Sequence, residues 1–172
     1  MVRLQSVTLD LVDVYIAVGL ESYNQHYLHL WKKRDPTPYI SKSFTTKILE
    51  KELEDDNVEN FLVKVDETVI GVVKLIKDQA LDTHEAKTSL LIQKIYLLSE
   101  FSGKGYGQEL ISLLETHAKK LEKKVIWLDT MQKGNALNFY LKNGFTIHKA
   151  SRLELPHAVE EERPMWVLTK TL

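Results

Sequence analysis

One stretch near the middle of the sequence restricts the possible folds more than any other. An apolar run rich in β-branched residues, from Leu90 to Leu97, predicts a buried strand, and an amphipathic helix follows closely. Between the two, Gly103, Gly105 and Gly107 alternate with other residues in a short loop. Glycine adopts positive φ and has no Cβ, so such a loop can place several backbone N–H groups against an anion. Because the helix N-terminus adds unpaired N–H groups and a positive dipole, the stretch predicts a phosphate-binding site.

Three common phosphate-binding motifs do not match this loop. No Gly-Lys-Ser/Thr sequence follows the glycines, which excludes a Walker A loop. The glycine spacing is not GxGxxG, so the dinucleotide-binding pattern is broken although Asp129 lies near the distance expected for its acidic residue. A protein-kinase loop would join two antiparallel strands rather than open a helix. The loop alone therefore leaves the phosphate ligand open.

Composition and charge exclude several classes of function. A chain of 172 residues can bury a sizeable core, and we expect one domain over 1–172. Lys and Arg number 23 against 24 Asp and Glu, so the net charge of −1 does not favour a nucleic-acid or membrane partner. The absence of cysteine excludes disulfides, thiolate metal sites and a cysteine nucleophile, and we predict no metal site. Asp10 and Asp13 interrupt the N-terminal apolar residues, so we expect no signal peptide and a cytoplasmic location.

The pattern of the whole chain predicts an α/β domain. We expect a mixed, mostly antiparallel central sheet of six or seven strands with about four helices and one parallel crossover. The predicted helical regions begin at Leu9, span Ile40–Glu54, follow the glycine loop, and span Asn135–Asn143. The predicted strands are Val2–Val7, Phe61–Val65, Val69–Ile76, Thr88–Leu97, Val125–Leu128, Phe145–Leu155 and Met165–Leu172. Gly71 inside the third of these indicates a bulge or a close approach of two backbones.

An aromatic segment separates the first two helical regions. It contains Tyr23, Tyr27, Trp31 and Tyr39 around two prolines. One interpretation is a loop with half-exposed aromatic side chains. The other is a lid over a substrate, because loops on a rigid scaffold commonly carry specificity.

The glycine loop becomes more informative when it is read with the segments that follow it. The runs QKIYLLSEFSGKGYGQELI, VIWLDT and NALNFYLKNGF together resemble the GNAT superfamily of N-acetyltransferases, and the resemblance extends to nearly the whole chain. The helix end EKEL and the C-terminal hairpin are similar to those of bacterial spermidine/spermine N-acetyltransferases. The resemblance implies the single-domain acyl-CoA N-acyltransferase fold, acetyl-CoA as cosubstrate, and transfer of an acetyl group to an amine.

The resemblance also implies roles for individual residues. Ile95, Tyr96 and Leu97 would pair through their backbone with the pantetheine arm, and Asn135 would contact the same arm. Tyr140 would be the general acid and contact the cofactor. The pyrophosphate would lie against the loop, whose residues are Ser102, Gly103, Lys104, Gly105, Tyr106, Gly107 and Gln108. Ser102 departs from the Gln or Arg usual in the family, and Lys104 and Gln108 are candidates to replace its phosphate contact.

Elementary chemistry agrees with these roles but does not identify a base. A tyrosine, with a pKa near 10, can donate a proton to a departing thiolate, although Tyr140 would otherwise be read as a core aromatic residue. A backbone N–H at the end of the fourth strand would stabilise the oxyanion. The glutamate common in relatives is replaced by Gln93, which cannot accept a proton. The remaining candidates are His84, Glu85, His148, a chain of water molecules, or loss of the proton to solvent before binding.

The sequence does not determine the acceptor or the oligomeric state. Tyr23, Tyr27 and Trp31, with Glu21, would provide aromatic and acidic walls for a polyamine. Peptide N-termini, lysine side chains, aminoglycosides and small xenobiotic amines are alternatives, and a homodimer is plausible. The rival hypothesis is a catalytically silent acyl-CoA-binding or sensing domain, which Gln93 and Ser102 favour and Tyr140 opposes.

Overall fold

The computed structural model describes residues 1–172 as one seven-stranded sheet with five α-helices. The strands are β1 (Val2–Ser6), β2 (Val58–Val65), β3 (Thr68–Ile76), β4 (Ser89–Leu97), β5 (Val125–Met131), β6 (Thr146–Arg152) and β7 (Pro164–Thr171). The helices are α1 (Val12–Tyr27), α2 (Thr37–Ser43), α3 (Thr46–Leu53), α4 (Tyr106–Lys120) and α5 (Ala136–Lys142). None of these helices has the length and apolar character that a membrane crossing requires.

The sheet order is β1-β2-β3-β4-β5-β7-β6. Neighbouring strands are antiparallel except β4 and β5, which are parallel and connected through α4. The predicted mixed sheet with one parallel crossover is therefore confirmed. β5, β7 and β6 form an antiparallel group, with β7 between the other two strands. This group is joined to the N-terminal half of the sheet only through the β4–β5 pair.

Apolar layers cover both faces of the sheet. On one face, Leu110, Leu114 and Ala118 of α4 pack against strand residues such as Leu90 and Ile126. On the other face, α1 and α3 cover β2 and β3, and this layer also contains most of the aromatic segment between α1 and α2. Burial of one such leucine contributes about 1.5–3 kcal/mol, so these layers hold β4 firmly between two sets of helices.

The second helical region is divided into two short helices, where the sequence predicted one helix over Ile40–Glu54. Phe44 leaves helical geometry with φ −133° and ψ 56°, and its ring is buried. The side-chain oxygen of Thr45 accepts a hydrogen bond from the N–H of Ile48 at 3.3 Å and thus caps α3. The strong preference of threonine for the N-cap position explains the break.

A polar network lies inside the layer between the sheet and α1–α3. The hydroxyl of Tyr15 donates to Oδ1 of Asn60 at 2.9 Å, and Nδ2 of Asn60 donates to Glu52 at 2.9 Å. Glu52 also forms a salt bridge with Lys74. The network ties α1 and α3 to β2 and β3, so the helices beside β4 have fixed positions.

Candidate active site

The two central strands separate before they end. β4 and β5 pair only from Ser89 to Leu91 and from Val125 to Trp127. Beyond these residues β4 continues to Leu97 and β5 to Met131 without pairing to each other. The edge of β4 that faces β5 is therefore open over its last residues, and a ligand can pair with it.

A bulge at Gln93 changes the direction of the side chains along β4. Leu75 is paired with Ile92 and Lys74 with Lys94, so Gln93 is the extra residue. Ile92 packs in the α4 layer before the bulge, whereas Lys94 donates to the backbone of Ser43 at the end of α2. The bulge thus makes the strand irregular next to the opening, a common feature beside functional sites.

The glycine loop ends in a helix N-terminus, as the sequence predicted. Gly103 and Gly105 have φ of 72° and 84°, in the region that favours glycine. The N–H of Glu109 donates to the carbonyl of Gly105 at 3.1 Å and is the first to be paired along α4. The preceding N–H groups of Tyr106, Gly107 and Gln108 are consequently free to bind an anion.

An outer cavity of about 500 Å3 runs from this loop to the opening between β4 and β5. Its walls come from the end of α1, the end of β4, the glycine loop and α5. The lining residues are His26, Tyr27, Ile95, Tyr96, Leu97, Phe101, Ser102, Gly103, Gly105, Gly107, Gln108, Ala136, Phe139, Tyr140, Lys142 and Asn143.

An inner cavity of about 100 Å3 lies on the other side of the opening. Its lining residues are Tyr23, Tyr27, Leu30, Ile92, Gln93, Ile95, Tyr96, Leu128, Asp129, Thr130, Met131, Tyr140 and Met165. Four residues line both cavities, namely Tyr27, Ile95, Tyr96 and Tyr140. The two cavities therefore meet at one place, where a ligand in the outer cavity can be reached from the inner one.

Tyr140 lies at this meeting point. It is 8% exposed, and its ring packs edge-on against Phe145 at a centroid distance of 5.6 Å. Its hydroxyl makes no hydrogen bond to another residue, so it is free to donate one to a ligand. Burial, with a smaller effect of Tyr27, raises the pKa of Tyr140 well above its usual value near 10, and the side chain stays protonated at neutral pH.

The structure brings most of the sequence-predicted site residues together. Ten of them line the outer cavity: Tyr27, Ile95, Tyr96, Leu97, Ser102, Gly103, Gly105, Gly107, Gln108 and Tyr140. Tyr23 lines the inner cavity only. Lys104, Tyr106 and Asn135 line neither cavity. Nζ of Lys104 lies over the ring of Phe101 at 5.4 Å, so of the two predicted replacements for the phosphate contact only Gln108 faces the cavity.

Trp31 fits neither interpretation of the aromatic segment, because it is neither half-exposed nor part of a lid over a substrate. It is 2% exposed, and its Nε1–H donates to the hydroxyl of Tyr23 at 3.0 Å. It forms a bridge with Ala158, a residue distant in sequence, and lines neither cavity. Trp31 therefore belongs to the core, while Tyr23 and Tyr27 lie on α1 itself.

The residues proposed as bases from sequence also lie elsewhere. His84, Glu85 and His148 line neither cavity, and Nε2 of His148 lies 2.7 Å from Asp82 in an exposed pair. No group of three or more His, Asp or Glu side chains is arranged to hold a metal ion.

Sequence reasoning missed two contributions to the site. The end of α1 holds the end of β4, because Nε2–H of His26 donates to the carbonyl of Leu97 at 2.9 Å and the N–H of Ser99 donates to Gln25 at 2.8 Å. Lys142 on α5 also lines the outer cavity and adds a positive charge. Its sequence neighbourhood, a lysine before the Asn-Gly that ends a helix, is equally typical of a helix C-terminus.

Comparisons with known proteins identify the class of protein that this fold and site define. A model of the acetyltransferase (GNAT) family matches residues 21–145, more than half of the chain, so the chain belongs to this family. An uncharacterized N-acetyltransferase in the pepI 3' region of Lactobacillus delbrueckii subsp. lactis is 27% identical over 146 residues, which cover 84% of each chain.

Solved structures share the fold over the whole chain. PaiA N-acetyltransferase from Thermoplasma acidophilum, in complex with coenzyme A, has a TM-score of 0.77 at 17% identity and covers 100% of this chain and 99% of its own. A chimera of the spermidine N-acetyltransferase SpeG from Vibrio cholerae and hSSAT has a TM-score of 0.72 at 18% identity, covering 99% and 94%. The fold class predicted from sequence is therefore confirmed.

Proposed function

We propose that the protein transfers the acetyl group of acetyl-CoA to a primary amine by direct attack, with Tyr140 as general acid. The observation that carries this proposal is the meeting of the two cavities at Tyr140. The outer cavity has the features that a long, anionic acyl donor needs, and the inner cavity gives a second reactant access to the same place. Direct transfer needs both reactants at one point and no covalent enzyme intermediate.

The residues of the outer cavity fit coenzyme A. The free N–H groups at the start of α4 and the side chain of Lys142 suit a pyrophosphate. The open edge of β4 from Ile95 to Leu97 offers backbone donors and acceptors to the amides of a pantetheine arm. The relative of known structure that contains coenzyme A shares this fold, which supports the same assignment here.

Tyr140 and the end of β4 would act on different atoms of the thioester. Acetyl-CoA, when bound, supplies an activated carbonyl and a thiolate leaving group. The open edge of β4 would offer a backbone N–H to the oxyanion, and the hydroxyl of Tyr140 would donate to the leaving sulfur. The apolar surroundings that keep Tyr140 protonated also raise the proton affinity of a thiolate formed beside it. The pKa values of the tyrosine and of the thiol therefore shift in the same direction.

The test combines binding and turnover on one sample. Thermal unfolding is followed with acetyl-CoA and with free CoA, and thiol release is then measured against a panel of primary amines. A ligand that binds only the folded state raises the unfolding temperature by mass action, and release of free CoA with an amine establishes transfer.

Two results would contradict the proposal in different ways. Stabilisation by acetyl-CoA without thiol release from any amine would support the rival hypothesis of a silent acyl-CoA-binding domain. No stabilisation at millimolar CoA would mean that the loop beginning at Ser102 does not bind the cofactor.

A further inference from the structure

The inner cavity contains one carboxylate. Its other polar side chains are tyrosines, Gln93 and Thr130, and the remaining walls are aliphatic or formed by methionine. Asp129 is exposed and forms no salt bridge, so its charge is accessible from solvent and from the cavity. An unpaired carboxylate beside a reaction centre is available to a positively charged reactant.

The position of Asp129 follows from the separation of the strands. Leu91 and Trp127 are the last paired residues of β4 and β5. Gln93 and Asp129 each lie two residues further along their strands, and both line the inner cavity, one on each side of the opening. Asp129 therefore lies across the opening from Gln93, whose amide side chain cannot accept a proton.

Neighbouring residues orient the carboxylate. The hydroxyl of Ser151 on β6 donates to Oδ1 of Asp129 at 2.7 Å. No protein group donates to Oδ2. Since β5 is paired to β7 through Asp129 and Val167, the backbone at this residue is fixed, and Oδ2 is the atom free to meet a ligand.

Other titratable groups of the inner cavity cannot take the same role. Burial raises the pKa of Tyr23 and of Tyr27, and both remain neutral proton carriers at physiological pH. The same holds for Tyr96 and Tyr140. A side chain that is already protonated cannot accept a proton, and Asp129 carries the only carboxyl group that lines the cavity.

We propose that Asp129 stabilises the positive charge on the acceptor nitrogen and accepts its proton during acetyl transfer. This inference rests on the proposed function. As the neutral amine attacks, the C–N bond forms and its nitrogen becomes positively charged; the nitrogen then gives its extra proton to Oδ2 of Asp129. The C–S bond breaks, the sulfur takes the proton of Tyr140, and solvent exchange returns both side chains to their starting states.

The same cavity indicates the class of acceptor. Asp129 can stabilise the charge that develops on the attacking nitrogen, and no second carboxylate lines the cavity to pair with a further ammonium group of a polyamine. The tyrosine, leucine and methionine side chains that line the cavity favour an acceptor that is apolar apart from its amino group. The acceptor assigned here is a primary monoamine with an alkyl or aryl-alkyl group rather than a polyamine.

The experiment measures kcat and KM for phenethylamine, n-butylamine and spermidine in wild type, Asp129→Asn and Asp129→Glu. We expect Asp129→Asn to lower kcat/KM for the monoamines about 10²-fold while the KM for acetyl-CoA is unchanged, with partial recovery in Asp129→Glu. Asp82→Asn is the matched control, because Asp82 is an exposed aspartate bound to Lys149 and His148 and lines neither cavity.

Each contrary outcome has a separate meaning. Asp129→Asn with kcat/KM within threefold of wild type would overturn the role of Asp129, while wild-type turnover leaves the proposed function intact. A wild-type kcat/KM for spermidine tenfold above that for both monoamines would overturn the acceptor class. Binding of acetyl-CoA without turnover of any amine would overturn the proposed function and this inference with it.

Discussion

The side-chain hydroxyl groups of Tyr39 and Tyr96 lie 2.7 Å apart and share a hydrogen bond that joins α2 to the end of β4. Tyr39 also stacks on Tyr23, with ring centroids 4.3 Å apart and an angle of 16° between the planes. Tyr96 lines both cavities, so this contact makes α2 part of the support of the site although α2 itself lines neither cavity.

Removal of one hydroxyl from this pair should cost more than removal of both. Tyr39→Phe leaves the hydroxyl of Tyr96 buried without a partner, and we expect it to lower the free energy of unfolding by about 1–2 kcal/mol. The double variant Tyr39→Phe/Tyr96→Phe removes both polar groups and should be no less stable than the single variant. Urea unfolding of wild type, Tyr39→Phe, Tyr96→Phe and the double variant measures the coupling, and strictly additive losses would show that the bond contributes no stability.

Gly71 is required by the close approach of β3 and β4. A Cβ atom at this position would lie 2.3 Å from the carbonyl oxygen of Tyr96 and 2.6 Å from a side-chain carbon of Leu97. We expect Gly71→Ala to displace the backbone of β4, to destabilise the protein by about 2–3 kcal/mol, and to raise the KM for acetyl-CoA. Thermal unfolding and steady-state kinetics measure the two effects.

The variant Gly19→Ala separates the loss of stability from the rise in the KM for acetyl-CoA. Its Cβ atom would lie 2.2 Å from the ring of Phe44, so the variant is also overpacked, but the contact is with a side chain rather than with the backbone of β4. It should lose stability and keep the KM for acetyl-CoA. Equal KM changes in both variants would mean that general destabilisation, not the position of β4, controls binding.

The central part of the fold was predictable because its signals are local. Apolar runs, alternating glycines and an amphipathic helix are visible in short windows of sequence, and they located β4, the loop before α4, and α5 to within a few residues. The close approach at Gly71 was predicted for the same reason, since a glycine inside a strand commonly marks a bulge or a neighbouring backbone at short distance.

The rest of the site depends on contacts between distant parts of the chain. The burial of Trp31 depends on Ala158, and no local pattern distinguishes this tryptophan from an exposed one. The bulge at Gln93 depends on the register between β3 and β4. The inner cavity, with Asp129, exists because β4 and β5 separate after three paired residues, which is a property of the sheet rather than of either strand.

Lys94 makes the stability of the protein depend on pH. It is 3% exposed, its Nζ donates to the carbonyl of Ser43 at 2.9 Å, and burial, together with Lys74, lowers its pKa to about 7. The pKa of lysine in the unfolded chain is about 10.4, so between pH 7 and that value the unfolded state binds more protons. Lys94 therefore opposes folding most at and below pH 7, and this penalty decreases as the pH rises.

Lys94→Met should remove this dependence. We expect the variant to be more stable than wild type at pH 6.5, by about 1–2 kcal/mol, with a smaller difference at pH 9. Chemical unfolding at both pH values measures it, and Lys119→Met, at an exposed lysine of α4, is the control that should show no such change. A constant difference between the two pH values would show that Lys94 is charged in the folded protein across this range.

Tyr140 provides the most direct test of mechanism, because its hydroxyl has no structural partner to lose. Tyr140→Phe keeps the ring that packs on Phe145 and removes only the hydroxyl, so stability and the KM for acetyl-CoA should stay close to wild type. If the hydroxyl protonates the leaving sulfur, kcat should fall by about 10²–10⁴-fold. Single-turnover measurements of thiol release locate the loss in the chemical step rather than in product release.

Tyr15→Phe is the matched control for that experiment. Tyr15 is also a buried tyrosine, but it lines neither cavity. Its hydroxyl donates to Asn60 at 2.9 Å inside the polar network. The physical expectation is therefore reversed: Tyr15→Phe leaves Asn60 without a donor and should lower stability while kcat is preserved. An unchanged kcat in Tyr140→Phe would remove Tyr140 from the mechanism, and the thiolate would then have to be protonated by solvent through the opening between β4 and β5.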